Sequence, residues 1–103
     1  MLRDLPRDVL ARHHDEVLRL LAEHGVDAAG VFGSVARGED GAGSDLDLIV
    51  HFADGSGHDV VALTAALESL LGITVDVVDD VAVLDRARRT GVGRRILAET
   101  VPL

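Results

Sequence analysis

Val9, Leu10, Val17, Leu20 and Leu21 recur at helical spacing on one broad face, which predicts a helix from about Arg7 to His24. Pro6 near its start and Gly25 just past its end suit helix boundaries. A short strand, Val26 to Phe32, then runs into Gly33-Ser34, and Ser34 to Glu39 has room for a short helix. Asp40 to Ser44 is a turn by composition. Asp45 to Phe52 reads as a buried strand and Ala53 to Gly57 as a loop. His58 to Leu71 reads as a second long helix, with Val61, Leu63, Ala66, Leu67 and Leu70 inward and Gly72 ending it. The β-branched run Ile73 to Val78 is a third strand, followed by short helices over Val81 to Arg89 and Val92 to Glu99. Strands interleaved with helices in the order α-β-α-β-α-β-α-α predict an α/β fold, with helices packed on a small sheet.

At 103 residues the chain is expected to form a single domain spanning residues 1–103. Apolar residues make up 48% of it, enough to fold, and Phe32 and Phe52 are the two aromatics, so the core must be aliphatic. Without cysteine there is no disulfide, thiolate metal site or Cys nucleophile. No apolar run approaches the ~18–20 residues that span a bilayer. Met1 to Pro6 lacks the apolar stretch of a signal peptide, so a soluble, cytoplasmic protein with no membrane contact is expected. A formal charge of −8 argues against direct nucleic-acid binding, which needs a basic footprint. An acidic protein that binds an anionic nucleotide needs a divalent cation to bridge the two.

Candidate chemistry begins at the strand-to-helix turn. Gly33 permits close backbone approach, the helix start after Ser34 offers N–H groups to an anion, and Arg37 adds charge one turn on. Asp45 and Asp47 stand two apart on a strand, on the same face, while Leu46, Leu48 and Val50 point the other way into a core. Folding gives no reason to set two repelling carboxylates together, whereas Mg2+ prefers carboxylate oxygens plus substrate phosphates. Asp76 stands among β-branched residues, where burial demands a partner or a metal. If its strand lies beside the Asp45 strand, three carboxylates converge. Each feature taken singly has a plainer explanation: a capping turn, a solvated pair, an acid protecting a sheet edge. Asp79 and Asp80 read as turn or N-cap residues.

Gly33-Ser34-Val35-Ala36-Arg37-Gly38-Glu39 followed by Ser44-Asp45-Leu46-Asp47-Leu48-Ile49-Val50 resembles the signature of the polymerase-beta-like nucleotidyltransferase superfamily. More narrowly the chain is similar to the minimal nucleotidyltransferase (MNT) proteins of prokaryotes. The resemblance implies the mixed-sheet nucleotidyltransferase fold. It implies that Gly33, Ser34 and Arg37 hold the triphosphate of ATP, that Asp45, Asp47 and Asp76 hold Mg2+, and that Asp76 helps deprotonate an acceptor hydroxyl. It further implies transfer of AMP to a tyrosine of a HEPN-type toxin, making this chain the antitoxin of a hetero-oligomeric pair. Larger members add a domain that grips the acceptor; at 103 residues none is expected here, which favours a protein acceptor that docks. Two alternatives stay open: inhibition by stoichiometric binding without catalysis, and transfer to a small molecule.

Five of the ten arginines fall between Arg86 and Arg95: Arg86, Arg88, Arg89, Arg94 and Arg95. A solvated helix face is the favoured reading of them, over a protein interface or a reach toward nucleotide phosphates. The five histidines are assigned surface or capping roles.

Overall fold

The computed structural model describes residues 5–41, 43–53 and 59–103, with Arg95 by its backbone alone. The readings placed on Met1 to Asp4, on Ala42 in the predicted turn, on residues 54–57 of the predicted loop and on His58 lie outside the described residues. Among the described residues ten elements follow in chain order: α1 (Pro6–Arg12), α2 (His14–Glu23), β1 (Val26–Phe32), α3 (Gly33–Ala36), β2 (Leu46–Phe52), α4 (Val60–Leu71), β3 (Val75–Asp79), α5 (Asp80–Thr90), α6 (Arg94–Glu99) and β4 (Val101–Pro102).

The sheet is mixed, in the order β3-β2-β1-β4. β2 runs antiparallel to β1 and parallel to β3, and β4 pairs antiparallel with β1. One sheet face carries Leu46, Leu48 and Val50 of β2 and Val75 and Val77 of β3, all buried. Against it pack Val9 and Leu10 of α1, Val17 and Leu21 of α2, and Leu63, Leu67 and Leu71 of α4. This aliphatic layer is the main core, as the alternation along β2 predicts. The opposite face carries Phe32, Asp47, Ile49, His51 and Asp76, with α5 and α6 packed along it.

Three expectations need correction. The first predicted helix is two, broken at His13. Ala11 to Glu16 contains no large apolar residue, so no core contact holds the middle turn in line with its neighbours. Val61 is not inward but 80% exposed. The buried stripe of α4 is Leu63, Leu67 and Leu71, and Val61, two residues before Leu63, points about 200° away around the helix. A fourth strand, β4, closes the far sheet edge with two residues, too short and too proline-bound to carry a period-two signal. It sits so close to β1 that a Cβ on Gly30 would strike the Thr100 side chain and come within 3.0 Å of the Val101 carbonyl oxygen.

Leu67→Ala is therefore expected to lower the unfolding free energy by about 2–5 kcal/mol, the usual cost of emptying a closed aliphatic site. Val61→Ala is expected to change it by less than about 0.5 kcal/mol. Urea denaturation of the two variants measures both.

Candidate active site

β1 ends at Phe32, whose cross-strand partner is Asp47, and the chain turns at once into α3. Gly33 opens α3 with φ +72°, a conformation that side chains with a Cβ resist. The same position faces the Asp47 carboxylate so closely that a Cβ on Gly33 would collide with it. The turn and the first strand acid are thus in direct apposition. Ser34 lies beside them, half-buried, its carbonyl accepting from the Glu39 amide at 2.8 Å.

Across β2, Asp47 is also the register partner of Asp76 on β3. Asp45, exposed, precedes β2 by one residue and projects to the same side as Asp47. The three predicted acids therefore come together on one face, as expected if β3 lies beside β2. Asp76 is exposed on an edge strand, so its placement does not rest on the cost of burying an acid. Among the described residues no three His, Cys, Asp or Glu side chains close tightly enough to grip an ion by themselves. Mg2+ is usually held by one or two carboxylates, with phosphates and water completing its shell.

The electrostatics fit such an ion. Partial burial raises the Asp47 carboxyl pKa above the ordinary value, and the charges of Asp76 and Asp45 raise it further, against a lesser pull downward from Arg37. A cation at this point relieves both the desolvation and the repulsion.

Arg37, expected to assist in holding the triphosphate, is engaged by two acids. Its Nε donates to Glu39 Oε2 at 3.1 Å and its Nη1 to Glu99 Oε2 at 2.9 Å, tying α3 to the end of α6. Hydrogen bonding to Glu39, with the charge of Glu99, raises its pKa, so it stays cationic. The guanidinium carries five N–H donors, and those on Nη2 lie outside both contacts.

Two residues escaped the sequence reading. Asp40, read as a turn residue, has a fully buried side chain. Its Oδ2 accepts from the Arg7 amide at 3.2 Å, and its Oδ1 lies 3.6 Å from Arg7 Nε, pinning the start of α1 to the segment before Ser44. A single acid in a Gly-rich stretch gives no sign of that in the sequence. His51, on the same face as Asp47 and four residues along β2, places Nδ1 3.0 Å from both carboxylate oxygens of Asp80. Asp79 does cap α5, accepting from the Val81 amide at 2.9 Å, as expected of this pair.

The nucleotidyltransferase domain family matches residues 11–103. The protein adenylyltransferase MntA of Thermococcus cleftensis is 35% identical over 94 residues, covering 90% of this chain and 87% of that protein. A solved structure provisionally described as a minimal nucleotidyltransferase superimposes with a TM-score of 0.75 at 42% identity, covering 94% of this chain and 95% of the other. A chain of the crystallised toxin–antitoxin complex MntA–HpeT gives a TM-score of 0.62 at 25% identity, covering 87% of this chain and 70% of that one. With its mixed sheet, its Gly-Ser turn against the strand acids and a match over nearly all its length, this chain belongs to the nucleotidyltransferase domain family, in its minimal form.

Proposed function

We propose that this nucleotidyltransferase moves AMP from ATP to a hydroxyl, a tyrosine, of a HEPN-type toxin in the cytoplasm, and that it serves as that toxin's antitoxin. The observation that carries the reading is the apposition of the Gly33 turn to Asp47, with Asp76 next to Asp47 in register. A glycine turn beside an acidic array supports the reading, because a triphosphate and its cation have to meet. The naming of the MntA relative as a protein adenylyltransferase, and of the MntA–HpeT complex as toxin and antitoxin, supports a protein acceptor.

Gly33 and Ser34 hold the triphosphate, with Arg37 contributing N–H donors from Nη2. Asp45, Asp47 and Asp76 would hold Mg2+, which neutralises phosphate charge and stabilises the leaving pyrophosphate. The acceptor oxygen attacks the α-phosphorus, the bond to the bridging oxygen of pyrophosphate breaks, and the hydroxyl proton passes to Asp76 and on to water. Alignment and charge neutralisation supply most of the acceleration in such a transfer, so a small scaffold suffices.

The test is the intact mass of the protein encoded beside this one, after incubation with this chain and Mg-ATP. A gain of one or more AMP units is expected with wild type and none with the Asp45→Asn, Asp47→Asn form. A stable complex and neutralised toxicity without any gain in mass would replace transfer by stoichiometric inhibition.

A further inference from the structure

α5 is a helix with very little of itself buried. Of its eleven residues only Ala87 is buried, with Val83, Asp80 and the sheet beneath completing the inner line. Surface helices in small domains usually bury a broad apolar stripe. Here apolar side chains instead face outward. Val81, Leu84 and Arg88 follow one another at i, i+3 and i+7 and are all exposed. Among the described residues, five of the seven exposed large apolar side chains lie between Val81 and Val101.

Charge is concentrated in the same place. From Arg86 to Ala98 there are five arginines and no acid, while the other five arginines stand against all eighteen acidic residues. Arg86, Arg88, Arg89 and Arg94 are exposed, and of these Arg89 is paired, with Asp85 at 3.1 Å, among the described residues.

We propose that the outer face of α5 and the start of α6 is the docking surface for the acceptor protein, which meets it with an acidic, apolar-studded surface. Arginine is enriched at protein interfaces, and the exposed apolar residues beside it give this patch apolar area to bury. A nucleic acid would be repelled by the acidic remainder of the chain. A second copy meeting this face across a two-fold axis would set arginine against arginine. The position suits delivery of an acceptor hydroxyl, because β3 carries Asp76 directly into α5 and Glu99 of α6 is bonded to Arg37. The inference rests on the reading of this chain as a protein-modifying transferase.

Steady-state transfer to the acceptor protein tests it, with Arg86→Gln/Arg88→Gln, Leu84→Ser and, as a control on α4, Val61→Ser. The two α5 variants are expected to raise KM for the acceptor about tenfold, leaving kcat and KM for ATP in place. Added salt is expected to raise the wild-type KM more steeply than that of the arginine variant. An unchanged acceptor KM, or an equal rise in Val61→Ser, would overturn the docking face and leave the transferase reading standing. So would binding of single-stranded RNA, or self-association in light scattering, that the arginine substitutions abolish. If wild type modifies no protein, the transferase reading fails first, and complex formation decides the docking face. Weakening of the complex by the α5 variants alone upholds it; an unaffected complex, or none at all, refutes it.

Discussion

Asp47→Asn is expected to abolish nucleotidyl transfer and, in the absence of nucleotide and metal, to leave the protein as stable as wild type or more so. The two effects have one source. Asp47 is the acid at which the Gly33 turn, β1 and β3 meet, so its carboxylate is partly desolvated and faces Asp76 and Asp45. Its pKa in the folded protein is raised, above all by burial. The folded chain therefore retains this proton to higher pH than the unfolded chain does, and stability falls as pH rises through that window. At neutral pH the ionised carboxylate is a liability to folding, which the amide removes. The advantage of the variant in thermal melts should shrink as pH is lowered toward the ordinary Asp range of about 4. Mg-ATP should invert the ranking, because a ligand bound only by the folded wild type raises its apparent stability. Transfer should fall about a thousandfold or more, since a metal's contribution to charge stabilisation is several kcal/mol and each 1.4 kcal/mol is a factor of ten. A variant that melts clearly below wild type at pH 7 without ligand would show that the carboxylate has a favourable structural partner.

The parts of this architecture that the sequence discloses are those that depend on local periodicity. The alternation of Leu46, Leu48 and Val50 with Asp45 and Asp47 states which face of β2 is buried, and the structure keeps it. The β-branched run Ile73 to Val78 discloses β3, and its parallel pairing with β2 then sets Asp76 beside Asp47. What periodicity does not contain is the partner of a side chain across the fold. Arg37 looks like a phosphate ligand in the sequence because its sequence neighbours are the Gly-Ser turn; its engagement by Glu99, 62 residues away, is a matter of how α6 returns over the sheet. Asp40 and Arg7 are likewise joined over 33 residues. Val61 reads as inward because the first turn of α4, Val60 to Leu63, is apolar all round, and only the Leu63, Leu67, Leu71 spacing identifies the inner line. β4 depends on the absence of a side chain at Gly30, a requirement visible only once Thr100 lies against it.

Gly33→Ala and Gly38→Ala form a matched pair whose difference isolates the contact between the turn and Asp47. Both glycines have nearly the same left-handed backbone, φ +72° and +71°. A methyl group at either position costs about 1–2 kcal/mol for conformation alone. At Gly38 the added Cβ meets nothing within 4 Å, so that cost is the whole effect, and the Asp47 carboxylate is untouched. At Gly33 the Cβ collides with that carboxylate, so either the turn opens or Asp47 leaves its place beside Asp76. Gly33→Ala is therefore expected to lose stability beyond Gly38→Ala and to reduce transfer about a hundredfold or more, the scale on which an ångström of misplacement acts. Gly38→Ala should keep most of its activity. Adding Asp47→Ala to each variant completes the cycle: it removes the obstructing oxygen, so the extra instability of Gly33→Ala should largely vanish in the double variant, whereas Asp47→Ala should combine additively with Gly38→Ala. Equal instability of the two glycine variants, with additivity in both cycles, would mean that the turn and the acid are independent. The triphosphate would then have to be held without the apposition that places its cation.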